Sequence, residues 1–255
     1  MTAQPRSPTV QIRECRRPDC RFRYPVAAFP EPREACPRCG GPTRLLAYPQ
    51  PSAQASAADA PAAPPFPLVA LLDNIRSAYN VGAIFRTADG AGVSHLHLCG
   101  ITPTPAHPRV AKTALGAEDS LAWSSHANGL DAARELAAQG CVLWALENGP
   151  KATPLFQLPP PGGPDPLVLV VGNEISGVDP AILALCQRQV ALPMAGIKGS
   201  LNVAVAFGVA VYWLAFGGGG EGRAAGRQQE KTAEKTAEKT EEKTEEKRKE
   251  KREGK

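Results

Sequence analysis

The sequence predicts an α/β domain on a mostly parallel sheet, with a small zinc-ribbon-like module ahead of it. Three observations predict it. Short apolar runs alternate with helical patterns between residues 67 and 216. Four cysteines fall in two pairs before residue 40. A Pro/Ala/Ser-rich stretch separates the two regions.

In chain order, residues 1–48 come first. They carry nine arginines against four acids, a basic excess that the middle of the chain lacks. A compact arginine-rich module is suited to reading a phosphate backbone, although the same charge also serves solubility. Cys15 and Cys20 are four residues apart in the gap, and Cys36-Pro-Arg-Cys39 has the two-residue spacing of a metal knuckle. Two knuckles joined by a short hairpin would bring four sulfurs to tetrahedral Zn(II) distance. A module this small, with few large apolar side chains, also needs a staple to fold. Four unrelated thiols are the plainer alternative. Redox use of Cys36 and Cys39 lacks a βαβ context. Cys99, Cys141 and Cys186 sit in apolar segments and are expected in the core. Seven cysteines, an odd number, behind an N-terminus without an apolar signal core point to reduced thiols and a cytoplasmic location.

Residues 49–66 hold one charge among Pro, Ala and Ser and read as a semi-stiff linker. The domain then occupies 67–217. Its apolar runs at 68–72, 95–99, 142–146, 167–171 and 189–192 read as buried strands. Helical patterns fall near 80–91, 129–139, 180–187 and 201–215, and Asp179-Pro180 is a helix start with a capping carboxylate. That alternation implies βαβ units and a parallel sheet. No apolar run is long enough to cross a membrane as a helix. Residues 218–255 end in a Glu/Lys repeat of period four with no apolar residue larger than alanine to join a core, and read as a disordered or weakly helical, solvated tail.

Three polar constellations interrupt the apolar pattern. The first is Asn80-Val-Gly82-Ala-Ile-Phe-Arg86. Asn80, Ala83 and Arg86 share a helix face, and an arginine in an apolar helix calls for an anionic partner, either a substrate or a structural carboxylate. The second, Gly172-Asn-Glu174-Ile-Ser-Gly177, follows a fully apolar strand. Strand carboxyl ends are where α/β proteins bind ligands, and Gly172 would allow a flat surface to come close. The third is Leu192-Pro-Met194-Ala-Gly196 followed by Ser200-Leu201-Asn202-Val203. Neither a G-x-G-x-x-G fingerprint nor a Walker loop is present.

Taken together, in this order, the three stretches resemble the motifs of the SpoU (TrmH-type) RNA 2′-O-ribose methyltransferases of the SPOUT superfamily. The likeness covers roughly residues 67–216 and leaves out the cysteine module and the tail. It implies a SPOUT-type sheet with a C-terminal trefoil knot, an exception to ordinary chain topology. It implies a homodimer, S-adenosylmethionine held at Gly172, Leu192, Gly196 and Leu201, and RNA, rRNA or tRNA, as the methyl acceptor. The matching positions make Arg86, Asn80, Glu174, Ser200 and Asn202 the candidate catalytic residues, with Arg86 holding phosphate or developing oxyanion charge rather than acting as a base. Cys15, Cys20, Cys36 and Cys39 are the candidate metal ligands. The alternative is a catalytically inactive RNA-binding knot protein acting in ribosome assembly. Such a protein should have lost Asn80, Arg86 or Asn202, and all three are present. His95, His97, His107 and His126 match no motif and read as structural or surface residues. The segment 110–123 resembles one found in parts of the family, and Lys112 there, like Lys198 in the third stretch, is a candidate RNA contact or a plain surface lysine.

Overall fold

The computed structural model describes residues 10–27, 34–49, 64, 66–159 and 163–217. Most of the predicted linker and the whole Glu/Lys tail lie outside the described residues. The chain divides into two compact units, Met1–Pro61 and Ala62–Lys255.

The first unit is an antiparallel three-stranded sheet. Strands β1 (Val10–Cys15), β2 (Arg23–Ala27) and β3 (Thr43–Ala47) lie in the order β2-β1-β3. Its buried apolar side chains, among the described residues, are Cys15 and Cys36. The same region buries Glu14, whose carboxylate accepts from the Arg44 guanidinium at 2.8 Å. That bond and the Arg44 charge hold the Glu14 carboxyl below its ordinary value despite burial.

The second unit is a seven-stranded sheet whose pairings are all parallel. It contains β4 (Leu68–Asp73), β5 (His95–Cys99), β6 (Ala122–His126), β7 (Val142–Leu146), β8 (Thr153–Pro154), β9 (Leu167–Val171) and β10 (Arg188–Ala191), in the order β6-β5-β4-β9-β7-β10-β8. The two strands buried along their whole length, β4 and β9, are neighbours near the middle. Their unbroken apolar runs are what two-sided burial requires. Leu68, Ala70 and Leu72 pack on one face with Phe85 of α1 (Ala78–Ala91) and Phe207, Val211 and Leu214 of α6 (Val203–Phe216). Val69 and Leu71 pack on the other with Ala132, Ala133 and Leu136 of α4 (Gly129–Ala138) and Ile182 of α5 (Pro180–Leu183).

Five predicted strands fall within one residue of the observed ones. The predicted helix 180–187 is shorter than expected. Asp179 does cap it, accepting from Ala181 N at 2.7 Å. It ends at Leu183 because Gln187 is drawn to the sheet, its side-chain oxygen accepting from Leu143 N at 2.6 Å just before β10 begins. In this unit β6, β8, α2 (Pro108–Ala114) and α3 (Ala117–Ser120) carry no apolar run and are not anticipated.

Helix α1 starts at Ser77, whose hydroxyl accepts from Asn80 N, and stops at Gly92 in the left-handed region. Gly82, in its middle, faces α2 directly. A Cβ there would collide with Thr113 Oγ1 and the Val110 carbonyl, so glycine lets the two helices touch at backbone level.

Candidate active site and metal centre

The carboxyl ends of β4, β9 and β10 carry the loops that lead into the three constellations. Glu174 is the hub. Its Oε2 accepts from Arg76 N at 3.0 Å, and its Oε1 accepts from Ser77 N at 3.2 Å and Asn80 Nδ2 at 3.1 Å. Asn80 Oδ1 in turn accepts from Asn202 Nδ2 at 3.2 Å. The first, second and third stretches are therefore joined by one hydrogen-bonded chain, Glu174–Asn80–Asn202. Burial works against ionisation of Glu174, yet the donors from Arg76, Asn80 and Ser77 outweigh it and hold the carboxyl below its ordinary value. With both oxygens occupied and its proton affinity lowered, Glu174 is built as an anchor and not as a base.

Asn202 has two tasks. Its Oδ1 caps α6, accepting from Ala204 N at 3.0 Å and Val205 N at 3.4 Å, while its Nδ2 reaches α1. Capping and site formation are thus the same residue's work.

Beside this chain lies a cavity of about 500 Å³ lined by Leu146, Glu147, Asn148, Gly172, Leu192, Met194, Ser200, Leu201 and Asn202, among others. Its size and mixed lining suit a nucleoside-sized ligand. Gly172, Leu192 and Leu201 of the expected cofactor set line it. Gly196 does not, and a Cβ there would meet nothing within 4 Å. The reason expected for Gly172 also changes. A Cβ at Gly172 would strike Gly177 and Val178 of its own loop, which folds back through paired backbone bonds between Asn173 and Gly177. The close approach is made by the chain itself.

Arg86 is exposed and makes no hydrogen bond or ion pair among the described residues. Among the described residues, no carboxylate pairs with it as the structural alternative would require. Lys112 and Lys198 are exposed too, and neither lines the cavity.

Two carboxylates at strand carboxyl ends escape sequence reasoning, and one of them, Glu147, belongs to the cavity. Glu147, at the end of β7, lines the cavity and accepts from Val178 N at 2.9 Å. Asp73, at the end of β4, is buried and accepts from Asp179 N at 3.1 Å and Asn74 Nδ2 at 2.8 Å. Burial raises the Asp73 carboxyl above its ordinary value against those donors. Their only signal in the sequence is position, an acid directly after an apolar strand.

Three of the four histidines meet. His97 Nδ1 lies 3.0 Å from His126 Nε2, and Ser124 Oγ contacts both, at 3.2 and 2.8 Å, and His95 Nε2 at 2.9 Å. The cluster lies on β5 and β6. Burial, then the neighbouring imidazoles, brings His97 down to about 4.

In the first unit, the Sγ atoms of Cys15, Cys20, Cys36 and Cys39 all lie within 4.8 Å of one another. Cys15 and Cys39 are 3.5 Å apart, and Cys20 and Cys36 are 3.9 Å apart. A tetrahedral ion with bonds of about 2.3 Å puts its sulfurs about 3.8 Å apart, so the donor set fits zinc. The structure also explains the wide first spacing. Arg17-Pro-Asp-Cys20-Arg21 turns like Cys36-Pro-Arg-Cys39-Gly40: Arg21 N donates to Arg17 O as Gly40 N donates to Cys36 O. Arg21 and Gly40 both have positive φ, 45° and 69°. Arg17 holds the place that Cys36 holds in the second turn, and Cys15 supplies its sulfur from the end of β1.

Residues 67–212 match the SpoU rRNA Methylase family. The chain is 32% identical over 147 residues to the 23S rRNA (guanosine-2′-O-)-methyltransferase RlmB of Vibrio parahaemolyticus, which spans 57% of this chain and 58% of the relative. It is 28% identical over 145 residues to the tRNA (guanosine(18)-2′-O)-methyltransferase of Escherichia coli, spanning 57% of this chain and 61% of that one. The chain thus spans under two thirds of the length of these curated relatives. An AdoMet-bound rRNA methyltransferase from Sinorhizobium meliloti superposes with a TM-score of 0.54 at 28% identity, covering 58% of this chain and 55% of the other.

Proposed function

The chain belongs to the SpoU rRNA Methylase family, and we propose that it transfers a methyl group from S-adenosylmethionine to a ribose 2′-hydroxyl of a structured RNA, rRNA or tRNA. The observation that carries the proposal is the Glu174–Asn80–Asn202 chain, which ties three separate stretches together at the mouth of one nucleoside-sized cavity.

Gly172, Leu192 and Leu201 would hold the cofactor against apolar walls and backbone groups. When bound, it supplies a methyl group already activated on sulfur. The chain's own residues then have to align the acceptor and favour its alkoxide. Arg86, whose side chain has no ion-pair partner among the described residues, is suited to hold the target phosphate and stabilise charge on the 2′-oxygen. Asn80 and Asn202 fix the relative positions of α1 and α6, and Glu174 fixes Asn80. Ser200 lines the cavity and orients polar atoms of the reactants.

We assign catalysis to residues 67–217 and a structural zinc ion to the four cysteines of residues 1–48, whose arginines help dock RNA. We place the enzyme in the cytoplasm. We further propose a homodimer. Helix α6 buries Phe207, Val211 and Leu214 but leaves Val205, Val209 and Tyr212 exposed, a second apolar face beside Asn80 that suits another copy. The loops at 172–179 and 192–202 are the ones that would cross in a trefoil knot. The inactive alternative is not favoured, since Asn80, Arg86 and Asn202 are intact.

The test is transfer of labelled methyl to bulk rRNA and tRNA, wild type against Arg86→Ala. The substitution should lower transfer by about 100-fold or more. Undiminished transfer would remove Arg86 from the mechanism.

A further inference from the structure

One aromatic residue beside the site is used by none of the roles above. Tyr79 directly precedes Asn80 on α1, yet its side chain is 46% exposed. The Arg109 guanidinium of α2 lies over its ring, 5.8 Å from the centroid. The pair is held firmly. Thr113 Oγ1 donates to the Tyr79 carbonyl at 3.2 Å, and the glycine contact at Gly82 locks α1 against α2. The two segments that carry the pair are basic, and the carboxylate beside them, Glu174, has its oxygens taken by Arg76 N, Ser77 N and Asn80 Nδ2. From Asn74 to Ala88 the chain carries Arg76 and Arg86 and no acid, and from Gly100 to Gly116 it carries Arg109 and Lys112 and no acid.

An exposed ring with a planar guanidinium over it, on segments rich in cations, makes the arrangement that single-stranded RNA uses. Bases stack on aromatic and guanidinium planes, while lysines take the phosphates. We propose that Tyr79 and Arg109 form a ledge on which a nucleobase of the substrate RNA stacks next to the Asn80 site, with Lys112 contacting the backbone. The ledge makes Tyr79 and Arg109 positioning residues. The inference rests on the RNA-methyltransferase reading for its substrate class.

The experiment measures fluorescence anisotropy of the full, zinc-loaded chain with two fluorescein-labelled 12-mers, oligoriboadenylate and an abasic ribose-phosphate strand of equal length. Wild type should bind the adenylate about 5- to 10-fold more tightly than the abasic strand. Tyr79→Ala should bring that ratio close to one, and Tyr79→Phe should keep it. Arg109→Lys, which keeps charge but loses the plane, should lower it by about two- to threefold. Lys112→Ala should weaken both strands alike. A wild type that does not prefer the adenylate, a Tyr79→Ala variant with the wild-type ratio, or a Tyr79→Phe variant that loses it as fully as alanine would each overturn the ledge. The outcome is separable from the enzyme reading. A Tyr79-dependent ratio in a chain without methyl transfer keeps the ledge and sinks the activity. Transfer with a Tyr79-independent ratio does the reverse.

Discussion

The two units are held together by opposite means. In the α/β unit, two neighbouring strands are buried end to end and covered on both faces by helices, so stability comes from apolar area spread over some 150 residues. In the cysteine unit, the buried apolar side chains among the described residues are two of the candidate ligands themselves. The α/β unit should therefore tolerate loss of one side chain better than the cysteine unit, whose sheet and Glu14–Arg44 pair enclose little apolar area. The difference teaches where each is vulnerable, and it can be broken or sharpened in several ways.

The largest expected effect is on the small unit. Chelation, or Cys36→Ser, should unfold it completely, because zinc binding to such sites supplies about 10–16 kcal/mol. Limited proteolysis should then cut within residues 1–48 while a fragment near 67–217 persists. Resistance of the small unit to a strong chelator would break the comparison. Next comes Phe207→Ala, which empties a fully buried site of the large unit. It should cost about 3–5 kcal/mol in urea unfolding and leave zinc content at one per chain.

The third effect is catalytic and not a matter of stability. Asn80→Ala removes the link between Glu174 and Asn202, and should lower methyl transfer by about 100-fold through misplacement of the loops. Affinity for S-adenosylmethionine, read by calorimetry, should fall far less. The smallest effect is pH-dependent. His97 titrates near 4 in the fold because burial, and then His95 and His126, oppose its charging. An unfolded histidine titrates near its ordinary value of about 6.5. The contribution of neutral His97 is therefore present above about pH 6.5 and lost as pH falls towards 4. His97→Asn should flatten the fall in urea midpoint of the large unit across that window. An unchanged slope would assign it to other groups.

Legibility in the sequence followed the same division of physical causes. The strands at 68–72, 142–146 and 167–171 were readable because two-sided burial demands an unbroken apolar run. Strand β6 was not, because its Ser124 and His126 face a polar cluster at the sheet edge. Helix α2 hid because its seven residues hold only two that are buried. In the site, Asn80, Glu174 and Asn202 were readable from motif order, and the fold brings them together. Gly196 was placed in the cofactor set by the same resemblance, but it sits on an open loop. Glu147 and Asp73 gave no pattern, since each accepts from a backbone amide on a distant loop, Val178 and Asp179, that no spacing predicts.

The central claim is that the joined loops carry out methyl transfer to ribose. The most direct measurement supplies the zinc-loaded chain with methyl-labelled S-adenosylmethionine and total rRNA and tRNA, and then hydrolyses the RNA in alkali. A 2′-O-methyl group blocks cleavage at its own nucleotide, so label should appear in alkali-resistant dinucleotides and should drop sharply with Arg86→Ala. Label in mononucleotides would place the methyl group on a base and contradict the account.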